Sequence, residues 1–116
     1  MKTFLAVFTG SFADRSEWTA LDEATRKQRE GAGMAAWGKW MADHQSDLAD
    51  EGGPLGKTRK ATREGVKDIS NNMGGYVKVR AESHEAAMKM FENHPSFMLF
   101  PGDGVEVMEV MPIPGR

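Results

Sequence analysis

Apolar positions alternate with polar ones in some stretches of this chain and recur every three or four residues in others; the two periods predict its elements. Thr3 to Thr9 reads as a strand with Phe4, Ala6 and Phe8 on one face and Leu5 and Val7 on the other. Both faces are apolar, which marks a strand covered on both sides. A polar helical stretch follows, with Asp14 as its N-cap, Glu17 three residues on, and Trp18 and Leu21 as a small apolar face. Gly31 and Gly33 interrupt it. A stronger helix is expected from Met34 to Asp50, where Met34, Trp37, Met41, His44 and Leu48 form one stripe. Gly52 and Gly53 supply its C-cap, and Pro54 prevents continuation.

Lys57 to Arg63 is strongly basic and alternates weakly, which suits an exposed edge strand. Glu64 to Gly75 reads as a polar loop. Tyr76 to Ala81 is a strand with Val77 and Val79 on one face and Tyr76, Lys78 and Arg80 on the other. Ser83 caps a second helix with an apolar stripe of Ala87, Met88 and Phe91, and Pro95 forces its end near Asn93. Gly102-Asp103-Gly104 turns the chain into a last strand, Val105 to Met111. The order β-α-β-β-α-β is the ferredoxin-like arrangement, an α+β fold with a four-stranded antiparallel sheet. It occupies residues 1–116 as one domain, as the chain's length also implies.

In that arrangement both helices cover one face of the sheet, so one apolar row of the first strand is left for water. A second copy packed sheet to sheet around a two-fold axis removes the problem and predicts a homodimer. The other way to cover the row is with the Ser11–Glu30 segment.

Composition narrows the function classes. Fifteen basic and seventeen acidic residues give a net charge of −2, without the basic excess of a nucleic-acid binder. There is no cysteine, which excludes disulfides, thiolate catalysis and cysteine-held metals. The apolar start is too short for a signal peptide and no stretch approaches the ~20 apolar residues of a membrane span. The expectation is a cytoplasmic protein with no membrane and no nucleic acid as partner.

Several letter patterns fail on physical grounds. Gly31 to Ala36 spells a dinucleotide fingerprint but follows a charged helical stretch, not a strand. Gly52 to Thr58 resembles a phosphate loop but lacks its first glycine and the helix after it. Asp43, His44, Asp47 and Asp50 form no familiar metal-ligand set: the three carboxylates read as a solvated face, and His44, on the apolar stripe, as a hydrogen-bonded core histidine. Neither metal nor cofactor is expected.

Three candidate site features survive. His94, held by Pro95 at a helix exit, and His44, on the apolar stripe of the first helix, are the candidates for proton handling. Tyr76, Lys78 and Arg80 share a strand face turned away from the helices, and Glu106 on the last strand is expected beside them. Charges beneath a dimer must be paired or bound to something. They form either an interfacial ion-pair network or the lining of a cleft that takes a small organic anion.

Gly74-Gly75-Tyr76-Val77-Lys78-Val79, Ala81-Glu82-Ser83, Glu85-Ala86-Ala87 and His94-Pro95 follow one another in a recognisable order. So do Trp37 to Trp40, Leu48 and Gly52-Gly53-Pro54-Leu55 before them, and Gly104-Val105-Glu106-Val107 and Met111-Pro112 after. Together, over most of Ala35 to Pro112, these resemble the YCII-related family and its DGPF-type branch. The resemblance implies a dimeric α+β barrel with a cleft near the interface between the two sheets. It implies either a small-molecule enzyme or binding protein, since some members resemble a dehydrochlorinase-like lyase, or a non-catalytic module associated with sigma-factor regulation. The family's suggested active site is a His–Asp pair, the histidine on the first helix and the aspartate before a proline after the second. In this chain His44 lies on the first helix and His94 holds the pre-proline position.

Overall fold

The computed structural model describes residues 1–115, with Phe12 in its backbone alone. β1 (Lys2–Thr9) leads into α1 (Phe12–Ala20) and the long α2 (Glu23–Asp43); a single 3-10 turn (Gln45–Asp47) delivers β2 (Leu48–Pro54). β3 (Thr58–Thr62) and β4 (Gly65–Ile69) follow, then β5 (Met73–Ala81), α3 (His84–Lys89), α4 (Pro95–Met98) and β6 (Gly104–Glu109). The main sheet runs β2-β5-β1-β6 with every neighbouring pair antiparallel. With β3 and β4 set aside, this is the expected ferredoxin-like α+β arrangement. No helix among the described residues is long and apolar enough to cross a membrane.

The period-2 pattern of β1 sets the core. Phe4, Ala6 and Phe8 join Val77, Val79 and Ala81 of β5 and Val107 of β6 on one face, against Trp40, Ala87 and Phe91 from the helices. The register puts Leu5 opposite Lys78 and Met108, and Val7 opposite Tyr76 and Glu106, so these residues share the other face.

The helices depart from expectation in several ways: α3 ends at Lys89, not near Asn93, and Pro95 opens a further short helix, α4, that His94 caps. Ser11, not Asp14, caps α1: its hydroxyl accepts the Asp14 amide while the Asp14 carboxylate accepts the Ser11 amide. Gly31 and Gly33 do not break a helix but lie inside α2, and Gly33 is buried where the Phe100 ring lies against it. A glycine there admits a close approach that any side chain would block. The buried member of the stripe is Trp40, with Trp37 and Met41 packed half-buried beside it and Met34 in solvent.

The largest correction concerns the second strand. The first long helix ends at Asp43, not Asp50, and Leu48–Pro54 pairs with β5 as an edge strand. Two register shifts in that pairing, one on each side of Asp50, erase the alternation by which a strand is recognised. Gly52 is part of this irregular strand, not a helix cap. Its φ is +66° and a Cβ would overlap the Tyr76 carbonyl oxygen, so only glycine fits. Lys57–Arg63 supplies a strand, but not an edge of the main sheet: β3 pairs only with β4, in a separate two-stranded sheet. The stretch 64–75, expected as a loop, contains β4 and the start of β5.

Candidate functional site

Two glycines open a cavity between the sheet and the C-terminal half of α2. Phe8 of β1 faces Gly75 across the strand pair, and a Cβ on Gly75 would stand 3.2 Å from the Gly53 carbonyl oxygen. With no side chains at Gly74 and Gly75, the rings of Trp37 and Trp40 and the Met41 thioether roof a partly open space of about 230 Å³ that Gly53 and Pro54 border. Trp40 is fixed by donating its indole N–H to the Met90 carbonyl at 2.7 Å. A second cavity of about 280 Å³ adjoins the first through Phe8, Trp37 and Gly74. Arg15 of α1 lines it, and the Arg15 guanidinium has no ion-pair partner among the described residues. Glu51 is the carboxylate along the first cavity, and Tyr76 borders it from β5 although its row lies on the other face of the sheet.

His94 stands behind the aromatic wall. Its ring stacks on Phe8 with centroids 5.0 Å apart and meets Trp37 and Trp40 edge-on at 4.8 and 4.9 Å. It caps α4: the Ser96 backbone N–H donates to Nδ1 at 3.0 Å, and the Ser96 hydroxyl lies 2.9 Å from the same nitrogen. An Nδ1 that accepts a backbone N–H carries no proton, so the neutral ring has its proton on Nε2. Nε2 is buried without a partner among the described residues. Burial, reinforced by the nearby charge of His44, lowers the His94 pKa to about 4. At neutral pH His94 is therefore an uncharged ring presenting an N–H.

No family model matches the chain, and no curated protein matches it either. Among solved structures it is similar to 5-chloro-2-hydroxyhydroquinone dehydrochlorinase from Burkholderia phenoliruptrix AC1100, in complex with 2,5-dihydroxybenzoquinone. The two share 16% identity with a TM-score of 0.56, over 94% of this chain and 93% of that one. At this identity the likeness speaks to the fold alone.

The remaining expected site residues do not converge. Tyr76, Lys78 and Arg80 lie in one row on the sheet face away from the helices, as does Glu106. His94 packs on Phe8, on the helix face, so the sheet separates it from that row. β1 lies between Arg80 and Glu106: they are roughly 10 Å apart across the sheet and 13 Å along it, and form no ion pair within one copy. The Arg80 guanidinium donates instead to the Leu48 carbonyl at 2.9 Å, and the Tyr76 hydroxyl reaches Asp50 only at 3.5 Å. His44 caps α2, its Nδ1 2.8 Å from the Trp40 carbonyl and its ring stacked on the Trp40 indole. Sequence reasoning missed Phe8, Trp40 and Arg15 as site residues. The signal for the cavity was the Gly74-Gly75 pair, read as loop, opposite an aromatic strand.

Proposed function

We propose that this protein binds a small single-ring aromatic or quinonoid molecule in the cavity between α2 and the sheet. The observation that carries the reading is the cavity wall: Phe8, Trp37, Trp40 and Met41 enclose about 230 Å³ over a floor of glycines. A cavity of ~150 Å³ holds benzene, so this one has room for a substituted ring. Aromatic walls favour stacked or edge-on rings. Arg15, in the adjoining cavity, offers a cation for an ionised ring oxygen or carboxylate. The neighbour of the same fold, whose structure holds a benzoquinone, supports the same ligand class.

Titration of the protein with substituted hydroquinones and quinones, followed by quenching of Trp37 and Trp40 fluorescence, tests this. Saturable one-to-one quenching is expected, with aliphatic molecules of equal volume binding at least about tenfold more weakly. Met41→Trp, which fills the space, abolishes it. Arg15→Met weakens ionised ligands by roughly tenfold, the scale of one charge-assisted hydrogen bond, and leaves neutral ones unchanged. Quenching that does not saturate, or that survives Met41→Trp, sinks the reading.

Membership of the YCII-related family, organisation as one domain and assembly as a homodimer through the face of Leu5, Val7 and Met108 belong to the same proposal. Half-buried Leu5 and exposed Met108, on the sheet face turned from the helices, support the dimer. Met108→Asp is expected to give monomers in analytical ultracentrifugation, because it puts a charge on the exposed part of that face. An unchanged dimer contradicts the sheet-to-sheet arrangement.

A further inference from the structure

Among the described residues, nothing buries the β3–β4 hairpin within one copy of the chain. It leaves the main sheet after Pro54, returns at Met73, and all of its strand residues except Thr58 are exposed. Leu55, Val66, Ile69 and Met73 carry apolar side chains into solvent along it. The radius of gyration is 16.2 Å, against about 13 Å for a compact chain of this length, as expected when part of the chain stands off the main body. A lone two-stranded hairpin is marginal in water and needs something to pack against.

Its charge says what. Residues 57–69 hold five of the chain's fifteen basic residues and two of its seventeen acidic ones, so this segment is +3 and the remainder −5. Arg59 is paired with Asp68 at 2.8 Å across the strands. Lys60 stands directly opposite Lys67, and neither has a carboxylate partner among the described residues. Like charges opposed across a strand pair destabilise it unless an anion comes between them. Exposed Asp50 and Glu51 on the β2 edge, with half-buried Asp47 before them, are likewise outside any ion pair among the described residues.

We propose that the β3–β4 arm docks through its Lys60–Lys67 face on the acidic β2 edge of a second copy of the chain, clasping the homodimer from outside the sheet-to-sheet contact. This rests on the dimer proposed above. A two-fold axis makes the contact twice, so each charge counts double. The informative variant is Lys67→Glu. Within the arm it replaces a repulsive pair with an attractive one, so a merely local role leaves the dimer unchanged or tighter. In the clasp it brings a carboxylate against carboxylates.

The test is the dimer dissociation constant by analytical ultracentrifugation at low and high salt. The expected results are weaker association of the wild type at high salt, and a loss of at least about tenfold for Lys67→Glu at low salt. Glu51→Lys weakens the dimer similarly, and the Lys67→Glu, Glu51→Lys double variant restores it to within about threefold of wild type. An unchanged or tighter Lys67→Glu dimer overturns the clasp while leaving the sheet-to-sheet dimer intact. Weakening without rescue overturns the β2 edge as its seat. A wild type that is monomeric at micromolar concentration removes the dimer and the clasp together.

Discussion

Between pH 6.5 and pH 4 the protein is expected to lose on the order of 3 kcal/mol of stability through His94 alone. Burial among Phe8, Trp37, Trp40 and Phe91 penalises the imidazolium, so the folded state binds a proton less readily than the unfolded chain. The contribution is fully present above the unfolded pKa of 6.5. It is lost as pH falls through the interval to the folded value of about 4, below which both states are protonated. Urea unfolding at pH 7, 5.5 and 4 measures it. His94→Phe keeps a ring in the cage and removes the titration, so its unfolding free energy is expected to be nearly flat over the same range. A variant that keeps the wild-type pH slope contradicts the assignment. Asp14 and Asp22 act only at the acid end of the range: hydrogen bonds, to Ser11 and to Thr25 respectively, hold each carboxyl below its usual value, so their contribution is lost from about pH 4 downward.

Trp40→Ala is expected to cost about 3–5 kcal/mol, the usual cost of emptying a buried aromatic site. The ring is 8% exposed, packs against Phe91 and His94, and satisfies the Met90 carbonyl. Its removal leaves both a void and an unpaired acceptor. Trp37→Ala should cost clearly less, because Trp37 is only half-buried and its indole makes no hydrogen bond among the described residues. Chemical denaturation of the two variants side by side fixes the rotation of α2. A larger loss at Trp37 contradicts the helix phase described here.

The fold was legible where the apolar period was strong and uninterrupted. β1 and β5 alternate cleanly, Ser83 caps α3, and these elements with β6 were enough for the ferredoxin-like order. The edge strand β2 was not legible. Its register shifts on either side of Asp50 remove the alternation, and Gly52-Gly53-Pro54 spells a helix exit as readily as an irregular strand. The extent of α2 was misread because glycine has two uses. Gly31 and Gly33 signal a break by propensity, but Gly33 is there for the Phe100 ring. The site was legible only in part. His94 drew notice from its place before Pro95, but sequence could not show that Ser96 occupies its Nδ1 and that aromatic rings surround it. Tyr76, Lys78 and Arg80 share one strand face, while the cavity under Trp37 and Trp40 lies toward the helices, with Tyr76 at its border.

A crystal structure of the protein soaked with 2,5-dihydroxybenzoquinone shows which face of the sheet takes the ring. The ring is expected in the cavity under Trp37 and Trp40, over Gly74 and Gly75, with an ionised oxygen turned toward Arg15. A ring on the Lys78 and Arg80 face, away from both tryptophans, or an empty cavity at saturating ligand, overturns that binding site.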